Sequence, residues 1–406
     1  MKDRYLLIQN AQVYRHQGKL YLDHLWKRDL ERHLHYLSKV YLGSPIFDAA
    51  PPSDKYLPVD PEIQSRIIPI AIPKRWKPTN GRLAGIPIKI SADIGILRHA
   101  LKADLLHVSI NEHPFFYGFL MPFLKWFTNT RTLIVIEATS HWRRLNPTGL
   151  KKWDMKIHEF TAKMAIKYAT AAAFTSQEYR DTLAPTEGLY RVIPATWMDE
   201  ESIISDEDFK VQLAEKITRL TDGFRIGFFA RLIVDKGADL LLNAAKLVKE
   251  SGVNVSVDIW GEGEELDNLK LLARELNVDA NFPGMLRYGP DFFKALRQYH
   301  LVAVPNRLDE QPRIIFDTFS QGVPVVVSNT PGNLFCVREG ENAMVFPKND
   351  AAGLAKQIQA ICQGEIDYAL LSASARQTAG SRTHKAMHQA RAKLLLEIEP
   401  KVKALI

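Results

Sequence analysis

The chain has 406 residues, 46% hydrophobic and 24% charged, with two cysteines, Cys336 and Cys362. That length suits two domains, the composition excludes a disordered chain, and two thiols exclude a disulfide framework or a zinc cage of the usual ligand number. The net charge of +7 is uneven: residues 1–198 carry 28 basic and 17 acidic side chains and nine of the twelve histidines, the remainder 25 basic and 29 acidic side chains. A positive first half is expected to meet something anionic, such as a membrane surface, a phosphate-bearing acceptor or nucleic acid.

In chain order, Leu6–Gln9 reads as a first strand and His24–Leu42 as a helix, from Leu25 and then Leu30, Leu34, Leu37 and Tyr41, the last four at mixed three- and four-residue spacings. Residues 43–87 are rich in proline and resist assignment. Leu105–Ile110 and Thr132–Glu137 read as buried parallel strands, Leu150–Tyr168 as an amphipathic helix, and Ala171–Thr175 and Tyr190–Ile193 as further strands. The polar stretch 194–208 marks a boundary between domains 1–198 and 199–380. The alternation then restarts with Phe224–Phe229, a helix over Ala238–Lys249 closed by Gly252, a strand over Val253–Trp260 and a helix near 264–276. Leu301–Val304 and Val323–Val327 are apolar runs typical of central parallel strands. Residues 381–406 read as a C-terminal helix able to cross back to the first domain. This pattern is α/β: two doubly wound, Rossmann-like domains facing an interdomain cleft, with ligands expected beyond the carboxyl ends of the strands.

Two constellations carry chemistry. Arg231 and Lys236 lie between a predicted strand and a predicted helix start. A helix N-terminus carries unpaired N–H groups and the positive end of the dipole, so with a guanidinium and an ammonium it makes a diphosphate site that needs no metal. A solvated basic loop is the plainer reading of these residues taken alone. In the second, Asp309 ends the loop after a buried strand and Asp317 follows two turns into the next helix. Each carboxylate can accept two sugar hydroxyls.

Together these residues resemble glycosyltransferase family 4, whose members have the GT-B fold. The resemblance runs in order from about 224 to 347: Arg231 five residues before Lys236-Gly237, Gly261-Glu262-Gly263, Phe282-Pro283-Gly284, the acidic pair Asp309 and Asp317, and Gly322–Val326 reading Gly-Val-Pro-Val-Val. It implies a retaining transferase with a nucleotide diphosphate sugar as donor and no metal or other cofactor. Arg231 and Lys236 would hold the diphosphate. Gly284 and Met285 would lie near the base, and Glu310, Arg313, Ile314 and Asp317 near the sugar and ribose. Asp309 would act at the reaction centre, with Glu137 or His141 on the opposite side. Arg15, His16 and Gly18 occupy the region of the family's acceptor loop. Two departures stand out. Both family glutamates are aspartates here, and the family's Gly-Phe-Gly is replaced by Glu310-Gln311-Pro312-Arg313, where Pro312 has no N–H to offer. Arg313 can bind an acidic donor sugar or simply face solvent.

The acceptor implied is a glycan or a lipid-linked glycan, in bacterial surface polysaccharide synthesis. Other readings are an epimerase or hydrolase of the same fold, or a donor-binding subunit without turnover. Asp206-Glu207-Asp208 reads as helix-capping charge. No metal-ligand spacing and no nucleic-acid motif is recognisable. In Leu150–Tyr168, a stripe of Leu150, Trp153, Ile157, Phe160 and Met164 runs beside Lys152, Lys156, Lys163 and Lys167. This suits an anionic membrane surface, although inward packing of the stripe is the plainer expectation. The aromatics of Phe115–Phe127 fit a core or a membrane equally well. The expected location is the cytoplasm, peripheral on the inner membrane face, because the thiols read as reduced and no leader-like segment follows Met1.

Overall fold

The computed structural model describes residues 4–73, 86–110, 114–137, 142, 143, 145 and 147–398. The first domain is built on a seven-stranded parallel sheet. Its order across the sheet is Leu189–Val192, Ala171–Phe174, Arg131–Ile136, Leu105–Ser109, Tyr5–Ile8, Val40–Ser44 and Ile67–Ala71. The second sheet has six parallel strands in the order Ala280–Gly284, Asn254–Trp260, Asp222–Phe229, Leu301–Val304, Val325–Ser328 and Ala343–Phe346. Both are flanked by helices, so their central strands are mostly apolar. Leu301–Val304 and Val325–Ser328 are buried at every residue.

Strand order reverses between Tyr5–Ile8 and Leu105–Ser109 in the first sheet, and between Asp222–Phe229 and Leu301–Val304 in the second. These are the switch points where flanking loops part and leave a crevice. A cavity opens at each.

The His24–Leu42 helix expected from the sequence is shorter. It runs from His24 to Tyr36, and Val40–Ser44 is a strand of the first sheet. Leu37 caps the helix in an extended conformation, and Val40 N–H bonds to Arg66 O across to the neighbouring strand. The apolar Val40 and Leu42, two residues apart, serve a sheet, and it is Tyr41, four residues after Leu37, that continues the helical period. The unassigned proline-rich stretch contributes the sheet's edge strand, Ile67–Ala71. A small four-stranded sheet, Ile46–Phe47, Val13–His16, Lys19–Asp23 and Tyr56–Pro58, was not foreseen.

The Gly149–Tyr168 helix departs from the plainer expectation. Its buried residues are Thr161, Ala162, Ala165 and Ile166, while Leu150, Trp153, Ile157 and Phe160 are exposed. Asp206–Ile217 is a helix capped by the Ser205 side chain, with the three acids in its first turn. The last described helix, His384–Ile398, buries Met387, Ala392, Leu394 and Leu395 in the core of the first domain, against Leu30, Leu34 and Tyr36.

Candidate active site between the two domains

The second-domain cavity, of about 220 Å³, lies beyond Phe229 and Val304 and is lined by Arg231, Lys236, Asn306, Pro312, Arg313 and Ile314, among others. The chain leaves the Asp222–Phe229 strand, makes a 3₁₀ turn over Val234–Lys236 and enters the Ala238–Glu250 helix through Gly237. Gly237 has φ +71°, and a Cβ there would lie 2.2 Å from Pro305 O. Only glycine lets the helix start this close to the neighbouring strand end. The first turn carries Asp239, whose charge would repel a phosphate, but Arg307 grips that carboxylate with two bonds, 2.8 and 2.6 Å. The helix N-terminus therefore keeps its attraction for anions.

Lys236 contacts Glu310, and both side chains are largely buried. Burial, then the like charge of Arg231, pushes the Lys236 ammonium down to about 7, with Asp235 opposing. The Glu310 carboxylate in contact with it opposes that push too. Arg231 is exposed at the pocket mouth. Gly284 O accepts from Gly261 N–H at 2.8 Å, and Met285 beside it is 73% exposed at the end of its strand.

The sugar-side residues are held more tightly than sequence suggests. Asp309 Oδ1 accepts from Gly332 N–H at 3.0 Å, and its backbone oxygen accepts from the Tyr179 hydroxyl of the first domain at 2.8 Å. Asp317 is buried and accepts from the Tyr288 hydroxyl at 2.8 Å. Burial pushes its carboxyl up to about 7, against the Tyr288 hydrogen bond and the charges of Arg313 and Arg28. Gln311 is buried, and its Oε1 accepts from Ala195 N–H at 2.9 Å, tying the rebuilt loop to the interdomain linker. Arg313 places its guanidinium over the Trp197 ring, 5.7 Å from the centroid, and lines both cavities.

The first-domain cavity, of about 210 Å³, faces this loop. Gln9, Asn10, His107, Ser109 and Glu137 reach it from strand ends, and Trp26, Asp29 and His33 from the His24–Tyr36 helix. Arg391 reaches it from the returning C-terminal helix, with Nη2 3.7 Å from Glu137 Oε1. Behind Arg391 lies a buried polar cluster that the sequence did not reveal. Asp29 Oδ1 is 3.0 Å from His388 Nε2, 3.4 Å from His384 Nε2 and 3.6 Å from Arg391 Nη1. Burial alone would raise the Asp29 carboxyl; His33 and the hydrogen bonds from three histidines outweigh it and hold it well below the usual range. Burial lowers His384, and more strongly His388, against the pull of the Asp29 charge. The signal was present as Asp29/His33 and His384/His388/Arg391 at helical spacings on two helices, but nothing local joins positions 355 and 359 residues apart. Among the described residues, Asp29, His384 and His388 are the group that converges as metal ligands do. The Arg391 guanidinium beside the same carboxylate already supplies a counter-charge there.

The expected site residues thus fall into three sets. Arg231, Lys236, Arg313 and Ile314 line the second-domain crevice, Glu310 contacts Lys236 there, Asp309 and Asp317 lie on the loop and helix that follow the Leu301–Val304 strand, and Glu137 lines the first-domain cavity, which shares Arg313. Arg15, His16 and Gly18 form a hairpin turn of the small sheet, where Arg15 pairs with Asp48 at 3.6 Å, and they do not line the cleft cavity. Gln9 and Asn10 hold the place after the first strand. His141 lies outside the described residues.

Residues 223–363 match the family described as glycosyl transferases group 1. The chain is 25% identical over 255 residues to LpsE of Rhizobium meliloti (strain 1021), a lipopolysaccharide core biosynthesis glycosyltransferase, covering 57% of this chain and 70% of LpsE. It is 23% identical over 160 residues to CapM of Staphylococcus aureus, a capsular polysaccharide biosynthesis glycosyltransferase, covering 38% of this chain but only 41% of CapM. Anabaena HepE, solved in complex with UDP, superposes with a TM-score of 0.66 at 16% identity over 98% of this chain and 100% of that one. A second HepE structure contains UDP-glucose. At that identity the likeness speaks for the fold. With the two switch-point cavities, the family match over residues 223–363 and relatives of this kind, the chain is a glycosyltransferase of the GT-B type.

Proposed function

We propose that the protein transfers a sugar, with retention of configuration and without a metal, from a nucleoside diphosphate donor to a glycan or lipid-linked acceptor. The observation that carries this is the second-domain crevice, where Arg231, Lys236 and a helix N-terminus converge on one small cavity. As the sugar–phosphate bond breaks, charge grows on the diphosphate, and fixed positive groups there stabilise it. Their combined charge supplies what a divalent ion would otherwise supply. In this reading Asp317 accepts ribose hydroxyls once it gives up Tyr288, and Glu310 leaves Lys236 for the sugar. Arg313, which lines both cavities, would take an acidic group on the donor sugar. Glu137, with Arg391 beside it, faces the acceptor side. The acceptor hydroxyl attacks from the face the leaving phosphate vacates, and that phosphate takes its proton. The polysaccharide roles of LpsE and CapM support a bacterial surface glycan as product, and the two buried free thiols support a cytoplasmic setting.

The test is a thermal-shift screen of nucleotide sugars, followed by nucleotide release from the best donor with and without acceptor, in EDTA and in Mg²⁺. Acceptor-dependent release that EDTA leaves unchanged supports the reading, and the anomeric configuration of the product decides retention. Release that needs Mg²⁺ overturns the metal-free part. One observation favours a second reading. Asp309 is engaged by Gly332 and Glu310 by Lys236, so a donor-binding subunit without turnover is the alternative. Donor binding that depends on Lys236, with no acceptor ever glycosylated, would establish it.

A further inference from the structure

We infer that the Pro114–Phe127 and Gly149–Tyr168 helices together form a docking face that lies in the surface of an anionic lipid bilayer. The two helices pack side by side and run the same way. Gly118 is so close to Thr161 that a Cβ there would lie 2.8 Å from it, and Trp126 meets Tyr168 with ring centroids 5.1 Å apart. Their outer sides carry Phe119, Trp126, Phe127, Leu150, Trp153 and Phe160, all at least 63% exposed. A patch of large apolar side chains on two adjacent helices is not ordinary solvated surface.

Charge selects the occupant. Lys152, Lys156, Lys163 and Lys167 are exposed and form a row about 90° round the same helix from the apolar stripe. Lys156 lies over the Trp153 ring at 5.3 Å. Aromatic rings with lysines along the rim suit the boundary between acyl chains and anionic headgroups. The helix's two acids do not offset that row. Glu159 is bound by Arg143 at 2.7 Å, and Asp154 lies on roughly the opposite side of the helix from the lysines. A second copy of the chain would bring two such lysine rows together. Among the described residues no helix is long and apolar enough to cross a membrane, so contact is along the surface.

Register adds the direction. With Gly118 opposite Thr161, the Gly149–Tyr168 helix starts about two turns, or roughly 10 Å, ahead of its neighbour. Both helices follow strands whose carboxyl ends, at Ser109 and Glu137, line the cleft. The overhanging turns with Leu150 and Trp153 therefore project at the cleft end of the sheet. Docked this way, the cleft mouth stands near the headgroups, where a lipid-linked acceptor would be found. The docking inference rests on the surface alone and does not require the acceptor reading.

The test is co-flotation of the full chain with vesicles of phosphatidylcholine, with and without phosphatidylglycerol. Binding is expected to the anionic vesicles, with a blue shift of tryptophan emission, and to weaken with salt. Lys152→Gln with Lys156→Gln should lower the partition coefficient about fivefold per lysine. Trp126→Gln with Trp153→Gln should abolish the residual binding at high salt. Both variants should bind UDP as the unaltered chain does, which checks their fold. Failure of the unaltered chain to float with anionic vesicles overturns the inference, as does equal flotation of both variants. Sedimentation showing a dimer that the tryptophan variant dissolves would assign the face to a second copy instead.

Discussion

Asp29→Asn is the sharpest test of how the cleft floor is held. The carboxylate is buried and is the shared partner of His384, His388 and Arg391, at 3.4, 3.0 and 3.6 Å. Asparagine keeps the shape and one acceptor oxygen but removes the charge. Arg391, 8% exposed, is then left with Glu137 as its acidic neighbour, at 3.7 Å. Breaking a buried pair on one side typically costs about 3–5 kcal/mol, because the surviving charge stays desolvated. The assay is urea unfolding followed by tryptophan emission, with the lowest transition fitted separately because two domains need not unfold together. The transition should move to lower urea, and nucleotide release should fall because Arg391, no longer anchored by the Asp29 charge, holds Glu137 less firmly in place. Adding Arg391→Met removes the orphaned charge, and the double variant should recover at least about 1 kcal/mol of the loss. A single variant within about 0.5 kcal/mol of the unaltered chain would refute the reasoning, and so would a cycle in which the two changes simply add.

Asp317 is held with a raised pKa, so its folded form retains a proton that the unfolded chain has already lost above about pH 4. The stability this confers is present in acid and is lost as pH rises through about 7, so Asp317→Asn should stabilise the second domain at pH 8 by up to about 4 kcal/mol relative to its effect at pH 4. The same variant should weaken donor binding in calorimetry. His300 behaves in the opposite way: burial, then the charge of Lys216, pulls it down to about 4. Its cost to the fold grows as pH falls from about 6.5 towards 4, and His300→Gln should flatten that acid limb in thermal melts. Glu310→Gln removes the anion that contacts Lys236; UDP should bind more tightly by calorimetry while sugar transfer falls.

The second domain was largely legible because its strands are buried on both faces and read as short apolar runs. Its phosphate loop joins residues close in sequence, Arg231 to Gly237. The first domain was harder for two reasons. Tyr41 belongs to a strand yet lies four residues after Leu37, continuing the spacing of the preceding helix, so periodicity alone carries the helix too far. The floor of the cleft joins Asp29 to His388, and no local pattern reports a pairing of that span. The stripe from Leu150 to Phe160 was visible, but periodicity gives the existence of an apolar face and not the side on which it lies. The hairpin at Arg15–Gly18 was given an acceptor role from its place after the first strand, whereas the small sheet carries it away from the cavity that Gln9 and Asn10 line.

The return of the His384–Ile398 helix has a consequence for how the protein is made. A ribosome releases the seven strands of the first sheet early, yet Met387, Leu394, Leu395 and the partners of Asp29 emerge last. Until then the nascent first domain exposes the groove beside Leu30 and Leu34 and carries an unneutralised buried-to-be carboxylate. The second domain, by contrast, can complete its sheet and fold while the first still waits. Synthesis order and folding order are therefore reversed for the last step, and the cleft acquires Arg391 only when both domains are finished. A chain stopped short of residue 384 should yield a folded donor-binding half attached to a loosened acceptor half.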